Sequence, residues 1–242
     1  MKTAFVTGGS GGIGSAVCRR LSADGFAVAI GFNTDSDAAE ALCAELRQQG
    51  TAAMTVGLDL SDPASVDKAY RTVCEGLAPP EVLVNNAGRA HIGLFADMSD
   101  SEIISLVNTD LTGAMLLSKR AAADMTRRHS GRIINISSVW GIAGASCEAA
   151  YSAAKAGLIG FTKALGKELA PSGVNVNCIA AGLIDTPMNA SLSPEELSAV
   201  TESIPAGRAG RPEEIAALAA FLCSDEAAYI NAQVITCDGG WL

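Results

Sequence analysis

The chain has 242 residues, 49% of them hydrophobic, and a formal charge of -9 at pH 7. This length and composition allow one α/β domain with a large buried core, so we expect a single domain over residues 1–242. The acidic balance and the scattered basic residues exclude a nucleic-acid footprint and a polybasic membrane patch.

The predicted elements alternate along the chain between short β-branched runs and Ala-rich segments of helical period. Strands are predicted at Ala4–Thr7, Ala27–Phe32, Ala53–Leu58, Val82–Asn85, Arg132–Ser137, Val174–Ala180 and Gln233–Cys237. Helices are predicted from about Ile13, over Asp37–Gln49, after Ser61-Asp62-Pro63, and over Asp100–Arg128, Ala150–Leu169 and Pro212–Cys223. This alternation predicts a doubly wound, parallel, seven-stranded sheet covered by helices. The least regular stretch, about Asp185–Gly210, is long enough to be a substrate lid.

Two features of the sequence indicate a protein of the cytoplasm. Met1–Thr7 predicts a short buried strand rather than a secretory signal, and no apolar run reaches the roughly 18 residues of a spanning helix. The seven cysteines have neither CxxC spacing nor nearby histidines, and we interpret them as reduced thiols that fill apolar space. They are Cys18, Cys43, Cys74, Cys147, Cys178, Cys223 and Cys237. We expect no metal site and no membrane partner.

A glycine-rich segment lies where the first predicted strand turns into the first helix. Glycines let the backbone turn tightly and approach a pyrophosphate, whose charge is favoured by free N–H groups and by the helix dipole. A plain strand-to-helix connection is the alternative interpretation. The residues expected to bind a cofactor here are Gly8, Ser10, Gly11, Gly12, Ile13 and Gly14.

Tyr151 and Lys155 are four residues apart on a predicted helix, so both side chains project from one face. A free tyrosine has a pKa of about 10, and a nearby ammonium stabilises the phenolate and lowers that pKa. Such a tyrosine can transfer a proton to or from a substrate oxygen. Ser138 ends the preceding predicted strand, and strand alternation points the neighbouring candidate, Ser137, to the opposite side.

These segments together resemble the short-chain dehydrogenase/reductase family. Gly8, Gly12 and Gly14 match its Thr-Gly-x-x-x-Gly-x-Gly segment, Asn85-Asn86-Ala87-Gly88 matches a second segment, and the resemblance continues to Asp238-Gly239-Gly240. The resemblance implies a Rossmann-type fold, a nicotinamide cofactor and oxidoreductase activity on CH–OH or C=O groups. It also implies a homotetramer built on the long helices.

The resemblance also assigns roles to individual residues. Ser138 would hydrogen-bond the substrate oxygen, Tyr151 would transfer the proton, and Lys155 would hold both the tyrosine and the nicotinamide ribose. Further cofactor contacts are implied for Asp59 at the adenine, for Leu60 beside it, for Asn86, Ala87 and Gly88, and for Ile184 and Thr186 at the carboxamide.

One position departs from the family pattern. Many members have asparagine where this chain has Asp110, in a segment whose backbone supports a proton relay to the lysine, while Asn108 would point elsewhere on a helix. An ionised carboxylate near Lys155 would partly offset its positive potential and make Tyr151 harder to ionise. The enzyme would then be less active or have a shifted pH profile, or it would be unaffected if only the backbone of this segment supports the proton relay. We expect activity with an alkaline-shifted pH profile.

The end of the second predicted strand bears on cofactor choice. NAD-specific sites usually have an acidic residue there, and Phe32 takes that position here, while Asn33 and Thr34 offer hydrogen bonds to a 2′-phosphate. The basic residue that many NADP-dependent relatives have in the glycine turn is Gly11. We predict NADP(H) in preference to NAD(H).

The substrate is the least constrained prediction. Lys163–Leu169 and the segment from Gly207 to Glu214 look most like the 3-oxoacyl-acyl-carrier-protein reductase branch, which implies a ketone or acyl thioester as substrate. Arg127 and Arg128 are either a docking contact for an acidic acyl carrier protein or a solvated helix end. Ser172 occupies the position where a second basic docking residue would support the first interpretation. Trp140 and Cys147 are expected to shape the substrate pocket, with a core or subunit contact as the alternative for Trp140.

The sequence therefore predicts an NADP(H)-dependent carbonyl reductase. An NAD-linked alcohol, sugar or steroid dehydrogenase is one alternative. A nucleotide-binding regulatory protein that has lost useful turnover through Asp110 is the alternative from another class.

Overall fold

One seven-stranded sheet, parallel throughout, forms the centre of the computed structural model, which describes residues 2–189 and 193–242. The strands are β1 Thr3–Val6, β2 Ala27–Phe32, β3 Ala53–Gly57, β4 Val82–Asn85, β5 Gly131–Ser138, β6 Val174–Ala181 and β7 Val234–Cys237. Their order across the sheet is β3-β2-β1-β4-β5-β6-β7. The seven predicted strands are confirmed, each end within one residue of its predicted position.

Helices cover both faces of the sheet. They are α1 Gly12–Ala23, α2 Ser36–Gln48, α3 Pro63–Gly76, α4 Asp100–Val107, α5 Gly113–Arg128, α6 Trp140–Ala143, α7 Ala149–Leu169, α8 Pro194–Glu202 and α9 Pro212–Cys223. Short 3-10 turns occur at Phe95–Asp97, Ala170–Ser172, Pro187–Asn189 and Asp225–Ala227. The predicted α/β class and doubly wound sheet are confirmed.

The alternation of side chains along each strand divides the core into two halves. Val6 and Ile30 face the layer that contains α1, α2 and α9, whereas Phe5 and Leu83 face the layer that contains α3 and α5. Because helices bury both faces, the strands are continuous apolar runs, as in parallel sheets generally.

A buried chain of polar side chains crosses the middle of the sheet. Asn85 Nδ2 donates to Ser118 Oγ at 2.9 Å and to Asn135 Oδ1 at 2.8 Å, and Asn135 Nδ2 donates to Thr162 Oγ1 at 2.8 Å. These bonds tie β4 and β5 to α5 and α7. Buried polar groups of this kind fix one arrangement of the elements because any displacement leaves a donor unsatisfied.

The predicted single helix over Asp100–Arg128 is wrong in its middle. A π-helical turn at Asn108–Thr112 separates α4 from α5, and its wide turn is closed by Gly113 N–H donating to the Asn108 carbonyl. The interruption turns the Asp110 side chain into the interior. There its carboxylate pairs with Lys155 and accepts the Arg89 N–H, while the regular α-helical hydrogen bonds are interrupted at this turn.

The prediction of irregular structure over Asp185–Gly210 is also only partly right. The stretch contains the 3-10 turn at Pro187–Asn189 and the helix α8, which begins with a capping box between Ser193 and Glu196. A bridge between Ile184 and Gly210 closes its base. Residues 190–192 of the predicted lid lie outside the described residues. The short helix α6 was not predicted.

Candidate active site

A large cleft of about 1300 Å³ opens at the carboxyl edge of the sheet. Its position follows from the strand order, which reverses between β1 and β4 and so separates the loops that follow these two strands. Of the residues predicted to bind the cofactor, only Gly14 is not part of the cleft wall. Ser138 also lines the cleft, whereas Asp110 lies behind its surface.

The glycine turn is shaped for close approach by a phosphate. Gly11 has an extended backbone and directly precedes α1. No side chain caps this helix, so its first N–H groups have no side-chain partner at the cleft. Gly14 packs beneath the turn. A Cβ at this position would lie 2.0 Å from the Gly8 carbonyl oxygen, so the position requires glycine. The residues therefore fit a pyrophosphate at the amino terminus of α1.

Two side chains fasten the glycine turn to the loop after β4. Thr7 Oγ1 accepts the N–H groups of Asn86 and Ala87, each at 3.0 Å. Asn86 Nδ2 donates to the carbonyls of Thr7 and Gly8 at 3.0 and 3.1 Å. Thr7 was not among the predicted site residues, and the predicted Asn86 holds the turn with its side chain.

The opposite end of the cleft, after β2 and β3, carries no cation. Lys155 and Arg89, the lysine and arginine among the described lining residues, both lie near Asp110. Asp59 Oδ1 accepts from the backbone and side chain of Ser61 at 2.8 and 2.7 Å. Asp35 caps α2 by accepting from the Ala38 N–H at 3.1 Å.

The three predicted catalytic side chains lie together at the end of β5 and the start of α7. Tyr151 and Lys155 are one helical turn apart, and Lys155 Nζ lies 5.5 Å from the centre of the tyrosine ring. Ser138 Oγ accepts the Trp140 N–H at 3.1 Å. Ser137 Oγ donates to the Lys155 carbonyl at 3.0 Å, so this serine fastens α7 to β5.

Lys155 forms a buried ion pair with Asp110. Its Nζ lies 3.4 Å from Asp110 Oδ2 and donates to the Ile136 carbonyl at 3.3 Å, and the two charged side chains are 5% and 0% exposed. The backbone N–H of Arg89 donates to the same carboxylate at 3.0 Å. A Cβ at Gly88 would lie 2.7 Å from Asp110 Oδ2, so glycine leaves room for the pair.

The ion pair changes the proton affinity of its neighbours. Burial raises the pKa of Tyr151; Lys155 acts to lower it, and the Asp110 carboxylate acts to raise it further. Burial acts to lower the pKa of Lys155, but Asp110 and Tyr151 act to raise it and the net shift is upward. The Tyr-Lys spacing alone predicts a lowered tyrosine pKa. The direction here is the opposite, because burial and Asp110 together exceed the effect of Lys155.

Comparison with known proteins places this arrangement in a family. The short chain dehydrogenase family model matches residues 2–197. The chain is 39% identical over 241 residues to an uncharacterized oxidoreductase, YmfI, of Bacillus subtilis, which covers 99% of this chain and 98% of the relative. It is 41% identical over 239 residues to the 3-oxoacyl-acyl-carrier-protein reductase FabG of Escherichia coli, with 99% and 96% covered.

The chain belongs to the short-chain dehydrogenase family. A solved structure agrees: a protein of Agrobacterium tumefaciens, proposed to be a gluconate dehydrogenase, has a TM-score of 0.95 and 32% identity over 99% of this chain and 95% of that chain. Membership makes the protein an oxidoreductase that depends on NAD(P). The predicted family and its enzymatic class are thereby confirmed.

Two tryptophans from distant parts of this short-chain dehydrogenase form one wall of the cleft. The rings of Trp140 and Trp241 meet edge to face, with centroids 4.8 Å apart. Asp238 accepts the N–H groups of Gly240 and Leu242, and so holds the turn that carries Trp241. The predicted pocket role of Trp140 agrees with this position. No sequence pattern linked Trp241 to the site.

Other predicted positions lie away from the cleft of the short-chain dehydrogenase. Cys147 is not part of the cleft wall in the described residues, and its carbonyl accepts the Gly93 N–H at 2.9 Å. Arg127 pairs with Asp124, and Arg128 donates to the carbonyls of Pro79 and Pro80. Both arginines end α5, about 20 Å along the helix from its start beside Leu60. Neither arginine is among the described residues that line the cleft.

The remaining sequence-based expectations concern thiols, metals and membranes. All seven cysteines are free. In residues 2–189 and 193–242, no three His, Cys, Asp or Glu side chains are grouped as a metal site would require. No helix within the same ranges combines the length and apolar character needed to cross a membrane.

Proposed function

We propose that this short-chain dehydrogenase is a reversible carbonyl reductase that acts on a ketone or a 3-oxoacyl thioester and takes NADP(H) in preference to NAD(H). The observation that carries the proposal is the grouping of Ser138, Tyr151 and Lys155 at one end of a cleft whose other end is a glycine turn suited to a pyrophosphate. A dinucleotide bound along the cleft would bring its nicotinamide to these side chains.

Each of the three side chains has a distinct task in this proposal. The nicotinamide, when bound, supplies or accepts the hydride. The Ser138 hydroxyl hydrogen-bonds the substrate oxygen, and the Tyr151 hydroxyl gives that oxygen its proton in reduction and removes it in oxidation. The Lys155 ammonium stabilises the phenolate and binds the nicotinamide ribose. Asp110 holds Lys155 in place and moderates its charge.

The proposed preference for NADP(H) rests on the lack of an acidic residue that would repel the 2′-phosphate, rather than on a cation that would attract it. Phe32 ends β2 where an acidic residue would repel a 2′-phosphate, and Asn33 and Thr34 line the cleft beside it. No lysine or arginine among the described lining residues lies at this end, and the Asp35 carboxylate is occupied in capping α2. The preference for NADP(H) is therefore expected to be modest.

The names of similar proteins support two substrate classes. A 3-oxoacyl-acyl-carrier-protein reductase at 41% identity favours an acyl thioester. A carrier protein that brings this thioester to the cleft would dock at residues other than Arg127 and Arg128, which have other partners. The solved relative proposed to be a gluconate dehydrogenase favours the alternative, an NAD-linked alcohol or sugar dehydrogenase. A nucleotide-binding regulatory protein is the remaining alternative, since the Asp110–Lys155 pair weakens the activation of Tyr151.

Substitution of Tyr151 by phenylalanine tests the carbonyl reductase directly. We expect the wild type to reduce an acetoacetyl thioester or another ketone of a small panel, followed as NADPH and NADH oxidation at about 340 nm. Tyr151→Phe should lose about 100-fold or more of kcat because the proton donor is gone, while cofactor binding is kept.

Tyr229→Phe is the matched control because this tyrosine is fully exposed. Equal loss in both variants, or full activity in Tyr151→Phe, would contradict the assignment. Tight cofactor binding without turnover in the wild type would contradict the reductase and favour the regulatory protein.

A carboxylate at the end of β2 tests the cofactor preference. Phe32→Asp should raise the Kd of NADPH by about tenfold or more through repulsion of the 2′-phosphate, and should leave the Kd of NADH unchanged or lower. Phe32→Leu keeps the position neutral and serves as the control. Fluorescence titration with both cofactors measures these constants, and parallel changes for NADPH and NADH would contradict the preference.

We also propose that the protein is a cytoplasmic homotetramer. Ile104 on α4 and Met115 on α5 are 60% and 41% exposed, and pairing of these helices between subunits would bury both side chains. Light scattering coupled to gel filtration should give four times the 24.6 kDa chain mass. A monomer mass at micromolar concentration would contradict the proposal.

A further inference from the structure

A carboxylate faces the reacting end of the cleft and has no part in the proposed proton transfer. Glu148 directly precedes α7, one turn before Tyr151, and lines the cleft together with Trp140. Its side chain is partly buried, and it forms neither a hydrogen bond nor an ion pair with the described residues. A substrate at Tyr151 would therefore lie close to an unpaired carboxylate.

The cations of the cleft do not neutralise this carboxylate. Lys155 is paired with Asp110, and the Arg89 guanidinium donates to the Glu102 carbonyl at 3.3 Å. Burial alone raises the pKa of Glu148, and neither these cations nor His91 acts on it. Glu148 also acts to raise the pKa of Tyr151, as the smallest of the causes of that shift. Glu148 is thus a carboxyl group of the cleft without a cationic partner among the described residues.

We propose that Glu148 is a specificity-determining residue that disfavours substrates with a carboxylate near the reacting carbonyl and admits neutral ketones, esters and thioesters. Two like charges in one cleft repel each other, and the partial burial of Glu148 reduces the screening of this repulsion by water and salt. The inference rests on the proposed carbonyl reductase, since it concerns the substrate of the same site. It narrows the substrate class to compounds that are neutral next to the carbonyl.

The effect of substrate charge can be measured by comparing a keto acid with its neutral ester. The test compares kcat/KM for ethyl acetoacetate and for acetoacetate, which share the ketone and differ in the charge beside it, at about pH 8 where carboxylates are ionised. The variants are Glu148→Gln, which keeps the size of the side chain, and Glu148→Ala, which does not. Glu168→Gln is the matched control, since Glu168 is exposed at the far end of the same helix.

We expect the wild type to prefer the ester and Glu148→Gln to raise the acetoacetate-to-ester ratio of kcat/KM by about tenfold, chiefly through the KM of acetoacetate. Glu148→Ala should change the ratio in the same direction, and Glu168→Gln should leave it unchanged.

An unchanged ratio in Glu148→Gln would overturn the inference while leaving the reductase standing. This outcome includes an equal gain or loss of kcat/KM for both substrates, which would reflect shape rather than charge. If the wild type reduces neither these substrates nor any ketone of the panel, the proposed function fails, and this inference fails with it.

Discussion

The buried ion pair between Lys155 and Asp110 is the interaction on which the site depends. It joins α7 to the π-helical turn between α4 and α5, and through the Arg89 N–H and the Ile136 carbonyl it also joins the loop after β4 and the strand β5. Two charges removed from water are tolerated only when they satisfy each other and further hydrogen bonds. The pair therefore fixes the position of Lys155 and, with it, the electrostatic environment of Tyr151.

The sheet provides the second constraint, because its order brings residues from remote parts of the chain to one edge. The loops after β1 and β4 separate at the point where the order reverses, and the Thr7 hydroxyl joins them again through the N–H groups of Asn86 and Ala87. The glycine turn is thus held by side-chain hydrogen bonds, and the proton-transfer residues lie on β5 and α7 rather than on flexible loops. A rigid frame of this kind is what positions catalytic groups accurately.

Much of this arrangement was predictable from sequence, for identifiable reasons. The β-branched runs located all seven strands, since a strand buried on both faces is a continuous apolar segment. The spacing of Tyr151 and Lys155 and the charge of Asp110 predicted their mutual influence. The π-helical turn was not predictable because the residues around Asp110 follow the pattern of a regular helix. The Asp110 side chain is turned to the interior toward Lys155, which is a neighbour only in the tertiary structure. The contribution of Asp110 to a higher pKa of Tyr151 was predicted, whereas the contribution of burial was not, because the burial of Tyr151 depends on tertiary packing.

The other misses have separate causes. Trp241 meets Trp140 only because the turn held by Asp238 places it there, which no spacing encodes. Glu148 did have a signal, since a residue three positions before Tyr151 shares its helical face. The helix α8 was hidden by prolines, yet Pro194 occupies the first helical turn, where proline is favoured.

The most direct measurement of the account is the pH dependence of alcohol oxidation in the wild type and in Asp110→Asn. Oxidation requires the Tyr151 phenolate as base, so its rate rises with pH through the pKa of that residue. The Asp110 carboxylate raises this pKa, and its removal should move the midpoint to lower pH, while Asp97→Asn on the surface leaves it unchanged. A midpoint that stays in place or moves to higher pH in Asp110→Asn would contradict the central role of the ion pair.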